Sequence, residues 1–163
     1  MGQAEDTFNA LVGELDYPMF IVTAGGEGGP AGCLVGFATQ ASIDPPRFLV
    51  CISKRNHTFA PARDAEVLAV HAVPADADDL AELFGSQTGD EVDKFARTPW
   101  RPGPGGAPVL ERCANWFAGR VVERLDTGDH VGFLLEPVAA EKGASKREFP
   151  FHRAKRMEPG HEA

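Results

Sequence analysis

Long apolar runs are missing from this 163-residue chain. None approaches the roughly 18 residues that cross a bilayer as a helix. The start, MGQAEDTFNALVGELD, has neither the basic opening nor the apolar core of a secretion signal. Its sixth residue is Asp6, where a myristoylation motif wants Ser or Thr. A cytoplasmic protein is expected. Cysteine is scarce: Cys33, Cys51 and Cys113 stand 18 and 62 residues apart. No CxxC or Cys/His spacing appears, so no metal is expected, and an odd count argues against a disulfide framework. Cys33 and Cys51 lie in apolar strand patterns and read as buried reduced thiols. Positive charge is short as well, and a formal net charge of −8 speaks against a nucleic-acid partner. No GxGxxG follows a strand, so a built-in dinucleotide fold is not expected. Neither a Ser-His-Asp set nor a pair of carboxylates stands out.

What is present is ordinary globular material, 43% hydrophobic and 25% charged, enough for one substantial core. A single domain is expected over 1–157, with a disordered tail at 158–163. Charge is spread unevenly. Nine acids and no Lys or Arg fall between Asp64 and Asp93, whereas six basic residues fall between Lys142 and Arg156. A solvated helix face and a charged tail account for both; the basic end could also help draw in a phosphorylated ligand.

Apolar periodicity predicts a short helix over Phe8 to Leu15 and a strand over Met19 to Thr23. The stretch AGGEGGPAG is turn chemistry, and the return strand is predicted from Gly32 to Ser42. Asp44-Pro45-Pro46 breaks the chain before a strand from Arg47 to Ile52. A helical turn over His57 to Arg63, a strand over Val67 to Val73 and a helix over Ala75 to Phe84 follow. Then comes a long stretch reading as irregular, with a turn near Phe95 and with Phe95 and Trp100 pinning it down. Strands are predicted over Cys113 to Leu125 and His130 to Ala140, around a DTGD turn with Gly128 in the demanding position and Asp129 as its cap. Trp116 and Phe117 should face opposite ways, one into the core and the other available to a subunit contact. A last edge strand is predicted over Glu148 to His152. Mostly hairpin-joined strands make the fold class mainly β (α+β): an antiparallel, nearly closed barrel with a few short flanking helices.

Two neighbouring stretches carry chemistry. In GFATQAS (Gly36, Phe37, Ala38, Thr39, Gln40, Ala41, Ser42) small residues leave the backbone bare, beside hydroxyl and amide groups. Such a strand end suits a flat ring edged with heteroatoms. In SKRNHT (Ser53, Lys54, Arg55, Asn56, His57, Thr58) a cation pair and two hydroxyls gather where a strand gives way to a helical turn, which suits a phosphate. One ligand with a flat ring and a phosphate tail, such as FMN, could span both. An ordinary edge strand and a solvated turn are the plain alternatives.

The chain also resembles the flavin reductase family, whose members adopt an FMN-binding split β-barrel of Greek-key type. GCLVGFATQASIDPPRFLVCIS, SKRNHT, VLAVHAVPADADDLAELFG, DKFA, GAPVL and TGDH match its motifs in order, from about Tyr17 to Ala140. By that resemblance Gly36, Phe37, Ala38, Thr39, Gln40 and Ser42 line the isoalloxazine. Ser53, Lys54, Arg55 and Thr58 surround the ribityl phosphate, with Asn56 and His57 as neighbours. His130 lies near where nicotinamide would stack and is the catalytic candidate; a turn-stabilising role is its alternative. The family often has Asn-Ser or Ser-Ser where Gly36-Phe37 stands, and FHRAKRM departs from its C-terminal pattern, which weakens any role for His152 or Arg153. His71 reads as a satisfied structural residue.

The resemblance implies an NAD(P)H-dependent flavin reductase. NADH or NADPH would pass hydride to the N5 of bound FMN, or of FAD, and reduced flavin could supply a monooxygenase. A homodimer is implied, with the flavin near its interface and the Glu91–Pro108 segment as a partner-facing lid; no membrane partner is expected. The alternatives are a non-catalytic FMN carrier or redox sensor on the same fold, and an enzyme like pyridoxamine-phosphate oxidase.

Overall fold

The computed structural model describes residues 2–86, 92–144 and 148–157. Helix α1 (Gln3–Glu14) leads into β1 (Phe20–Ala24) and β2 (Ala31–Val35), an antiparallel pair joined by the glycine-rich turn. Strands β3 (Ala38–Ser42) and β4 (Arg47–Ser53) form the next antiparallel pair, followed by α2 (Phe59–Asp64), β5 (Val67–Ala72) and α3 (Asp78–Gly85). A small hairpin of β6 (Trp100–Pro102) and β7 (Pro108–Leu110) precedes the long pair β8 (Trp116–Asp126) and β9 (His130–Glu141), and α4 (Phe151–Ala154) ends the described chain. Among the described residues no helix is long and apolar enough to cross a membrane.

Seven strands share one antiparallel sheet in the order β2-β1-β5-β8-β9-β4-β3. Laid flat, strands about 4.8 Å apart would hold the two edges about 29 Å from each other. Yet the edges β2 and β3 are joined by Gly36 and Phe37 alone, a link that reaches about 11 Å at most. The sheet must therefore curl until its edges approach. Register shifts in the β8–β9 ladder, with Val138 extra on β9 opposite Ala118 and Gly119 and Val122 extra on β8 between Val121 and Glu123, supply local bends for that curl. Among the described residues no ladder joins β2 to β3, so the barrel is split there.

Alternation along the strands fills the interior. Val22, Val35, Val50, Ile52, Leu68, Val70, Phe133 and Leu135, from five strands, form one buried cluster. Phe20, Phe48 and Phe117 close it with edge-on ring contacts at 5.5 and 5.2 Å. Truncating a fully buried ring such as Phe133 to Ala would cost about 3–5 kcal/mol. A second cluster packs the apolar face of α3 (Leu80, Ala81, Phe84) against Met19, Ile21, Phe95 and Phe149 outside the sheet.

Several expectations need correction. The return strand expected over Gly32 to Ser42 is two strands, because the chain crosses from one sheet edge to the other at Gly36-Phe37. The long irregular stretch holds the β6–β7 hairpin, fastened to the sheet by Thr23 Oγ1 donating to the Pro108 carbonyl at 2.6 Å. Two of the three glycines of its turn have positive φ, 64° at Gly105 and 80° at Gly106, and a Cβ on Gly105 would stand 2.7 Å from Val67. Phe95 is buried and Trp100 partly so, as expected. The edge strand expected over Glu148 to His152 is two isolated bridges, Glu148 to Pro74 and Pro150 to Pro18, followed by α4. Trp116 packs with Val109 and Ala118 on one face and Phe117 joins the interior cluster on the other, so this chain itself engages both. The expected tail at 158–163 and Glu91 lie outside the described residues.

Candidate functional site

The corner where the barrel is split brings Phe37 and the Ser53–Thr58 cluster together with His130, whereas Gln40 and Ser42 pair with Phe48 and Arg47, towards the other end of β4. Gly36 can carry no side chain without movement: a Cβ there would sit 2.9 Å from the Tyr17 ring and 3.0 Å from Met19 Sδ. That crowding explains a glycine at this position. The Phe37 carbonyl accepts from Cys51 N at 2.9 Å, which ties the crossing to β4. Phe37 itself is 57% exposed. Beyond it β3 is an edge strand, so one row of its main-chain groups faces away from the ladder. Ala38 is half-buried, while Thr39 and Gln40 are exposed. Their side chains are occupied locally, Thr39 Oγ1 donating to the Gln40 carbonyl at 3.2 Å and Gln40 Nε2 to the Ser42 carbonyl at 3.3 Å.

Strand β4 ends in a tight turn built from the next cluster. Ser53 and Thr58 are buried. The Ser53 hydroxyl accepts from Arg55 N at 3.2 Å and the Ser53 carbonyl from Asn56 N at 3.0 Å. Asn56 Oδ1 accepts from Thr58 N at 2.8 Å, an Asx-type bond that turns the chain into α2. Lys54 stays at the surface, its ammonium 2.9 Å from Asp126 Oδ2. Hydrogen bonding to Lys54 holds the Asp126 carboxyl below its ordinary range.

Strand β9 brings His130 to the same place, since it pairs with Ser53 in the ladder and Lys54 N donates to the Asp129 carbonyl at 2.9 Å. The imidazole Nδ1 lies 2.7 Å from Asp129 Oδ1 and lowers that carboxyl's pKa. Its ring centroid is 5.0 Å from that of Phe37, the planes tilted by 45°. The turn before it is capped by Asp126, whose Oδ1 accepts from Gly128 N at 3.0 Å, rather than by Asp129. Gly128 has the expected positive φ, 136°.

A cavity of about 510 Å³ touches the SKRNHT segment through His57 alone; its other walls include Gly32, Lys94, Phe95 and Trp100. That size is typical of small-molecule sites. Lys94 belongs to the DKF motif, to which sequence reading gave no role. It is 6% exposed, and its ammonium donates to the carbonyls of Gly32 at 3.1 Å and Phe84 at 3.2 Å. Burial lowers its pKa. The first signal for it was the motif; its surroundings come from contacts far apart in the chain.

Other candidates settle as structural. Burial pushes the Cys33 thiol up to about 11 and Cys113 to about 12, and raises Cys51, so none has the lowered pKa of a reactive thiol. His71 is buried, with Nδ1 2.9 Å from the Ile21 carbonyl and Nε2 accepting from Leu110 N at 3.0 Å. His152 Nε2 lies 2.9 Å from the Leu15 carbonyl, and Arg153 pairs with Asp78 at 3.0 Å. Among the described residues no group of three His, Cys, Asp or Glu side chains is placed to hold a metal. The donor set at the corner fits a planar anionic ligand: a bare edge strand, a surface cation and an imidazole.

A curled antiparallel sheet with few helices and a polar corner at its split defines a fold class shared with solved flavin reductases. Residues 12–158 match the model of the flavin reductase like domain, and the chain belongs to this family of oxidoreductases. It is similar to the FMN reductase (NADH) RutF of Bradyrhizobium diazoefficiens, 30% identical over 122 residues that make up 75% of this chain and 67% of that protein. The NADH:FAD oxidoreductase SgcE6 of Streptomyces globisporus superposes with a TM-score of 0.82 at 24% identity, over 93% of this chain and 91% of that one. Nitrilotriacetate monooxygenase component B from Mycobacterium thermoresistibile gives 0.77 at 24%, over 88% and 79%.

Proposed function

We propose that this protein is an NAD(P)H-dependent flavin reductase that binds FMN, with FAD as an alternative. One observation carries the reading: the split in the barrel gathers Phe37, Ser53, Lys54 and His130 at one corner, from segments widely separated in sequence. Residues 36–40 and Ser42 would lie along the ring, Lys54 and Arg55 would meet the phosphate beside Ser53, Asn56 and Thr58, and His57 stands on the wall of the adjoining cavity. Bound flavin supplies a ring whose N5 accepts hydride from a nicotinamide. The chain's own contribution is orientation and charge: bare backbone on one side, a fixed imidazole on the other. The names of the RutF and SgcE6 relatives favour NADH as donor.

The active unit is read as residues 1–157 and as a homodimer, since α1 has no buried residue and leaves Phe8 and Leu11 exposed, with Leu15 exposed directly after its last residue. Delivery of reduced flavin to a monooxygenase is the onward step, as the name of the nitrilotriacetate monooxygenase component suggests for its own system. Work in the cytoplasm suits three free thiols. The test is direct. The purified protein is titrated with FMN and FAD by fluorescence quenching, and NADH oxidation is followed with and without added flavin. Flavin-dependent NADH oxidation is expected. Flavin binding without turnover would favour a carrier, and no flavin binding would sink the reading.

A further inference from the structure

We propose that Tyr17 is a positioning residue for the flavin ring: backed by Phe151, it presses on Gly36 and fixes the crossing from β2 to β3. This rests on the flavin reductase reading. The crossing is two residues long, and among the described residues no ladder joins the strands on either side of it. Two main-chain bonds fasten it, Cys51 N donating to the Phe37 carbonyl at 2.9 Å and Ala38 N to the Gly36 carbonyl at 3.0 Å. A glycine in such a link has wide backbone freedom, which packing has to remove. Gly36 is not among the glycines with positive φ, so space rather than backbone conformation demands it. A Cβ there would stand 2.9 Å from the Tyr17 ring and 3.0 Å from Met19 Sδ.

The Tyr17 ring is itself held from behind. It stacks on Phe151 of α4, with centroids 4.6 Å apart and planes 11° from parallel, and Phe151 N donates to the Tyr17 carbonyl at 2.8 Å. Glu148 and Pro150 bridge to Pro74 and Pro18, and Met19 N donates to the Phe149 carbonyl at 2.7 Å. His152 Nε2 and Lys155 Nζ lie 2.9 and 3.1 Å from the carbonyls of Leu15 and Gly13. The C-terminal segment thus clamps the chain just before β1, and the clamp reaches the crossing through the Tyr17 ring. Beyond the crossing lies the bare strand β3, along which the flavin ring would rest. Without the Tyr17 ring, space opens beside Gly36 and that backbone is no longer preorganised, so its ordering falls to ligand binding. Tyr17 touches no reacting atom in this reading; it acts through Gly36.

Flavin affinities, read by fluorescence quenching, test this. Tyr17→Ala should weaken FMN and riboflavin alike, by roughly threefold to tenfold, because the crossing serves the ring and not the phosphate. Tyr17→Phe keeps the aromatic ring and should restore both affinities. Gly36→Ala should weaken binding on its own and cost less in the Tyr17→Ala background, where the ring it strikes is gone. Leu80→Val, on α3 in the same apolar cluster, separates positioning from stability. It should lower the urea midpoint and leave both affinities within about twofold. If Tyr17→Ala does not fold, Phe151→Ala carries the test, with a smaller loss of the same kind expected. Unchanged affinity in the variant that folds, a loss confined to FMN, or strictly additive effects of Gly36→Ala and Tyr17→Ala would overturn the positioning role. So would a loss in Leu80→Val as large as that in Tyr17→Ala, since affinity would then follow stability alone. A wild-type protein that binds neither FMN nor riboflavin is a different failure. It removes the flavin reductase reading, and this inference falls with it.

Discussion

Lys54 is the residue on which the phosphate end depends, and its present partner sets the size of the effect. Its ammonium rests on Asp126 at 2.9 Å at the surface, where an ion pair contributes little to stability. The ammonium can therefore turn from Asp126 to an incoming phosphate at low cost. Charge-assisted contacts to phosphate are worth more than neutral ones. Lys54→Ala should weaken FMN binding about tenfold, read by flavin fluorescence quenching, and should leave riboflavin, which has no phosphate, almost unaffected. Asp126→Asn should leave FMN affinity the same or strengthen it, by no more than about threefold. Equal losses for FMN and riboflavin in Lys54→Ala would remove Lys54 from the phosphate corner. This much was legible in sequence, because SKRNHT sets its cations and hydroxyls side by side. The engagement of Lys54 by Asp126 was not, since those two residues lie 72 apart in the chain.

At the scale of elements, the β6–β7 hairpin depends on one buried imidazole. His71, on β5, links the Ile21 carbonyl of β1 to Leu110 N of β7. Both bonds together require a neutral ring that donates through Nδ1 and accepts through Nε2. Burial accordingly pushes its pKa from 6.5 down to about 4. Between these values the unfolded chain takes up a proton that the folded chain refuses. Stability from this group is thus complete above about pH 6.5 and is lost as pH falls towards about 4, about 3 kcal/mol in all. His71→Gln should cost about 1–3 kcal/mol at neutral pH, one buried bond being left unmade. It should also flatten the decline between about pH 7 and pH 5, measured by urea unfolding at each. A variant with the same acid sensitivity as wild type would show that another group carries it. The same hairpin marks where sequence reading ran out. Strands such as β4, with Phe48, Val50 and Ile52 turned inward, announce themselves by alternation. WRPGPGGAPVL carries four glycines and prolines between two three-residue strands, and its order comes from Thr23 and His71, which no local pattern reveals. The break at Gly36 was likewise hidden, because a continuous small-residue run reads as one strand until the two sheet edges have to meet.

At the scale of the whole molecule the open question of surface is α1. A helix of 12 residues is short for stability on its own in water, and this one is held mainly at its end. Lys155 Nζ donates to the Gly13 carbonyl at 3.1 Å, and Asp16 Oδ1 accepts from His152 N at 3.0 Å. Phe8, Leu11 and Leu15 are 62%, 58% and 52% exposed, and their spacing lines them along one side of the helix. A stripe of this kind is stabilised by burial against another surface. With a second copy as the cover, light scattering should give twice the mass of the chain, and Leu11→Asp should place a carboxylate in the seam. A central apolar contact replaced by an unpaired charge should weaken the dimer by about tenfold or more. The monomer should keep its fold, because no α1 residue belongs to the core. Circular dichroism at low concentration would then report a folded chain in the monomeric variant. If instead the wild type is monomeric at every concentration tested, the stripe has some other cover and the homodimer reading fails. If Leu11→Asp stays fully dimeric, the copies meet through a different face, for which Phe37, Ile43 and Leu125, exposed apart from α1, are the next residues to substitute.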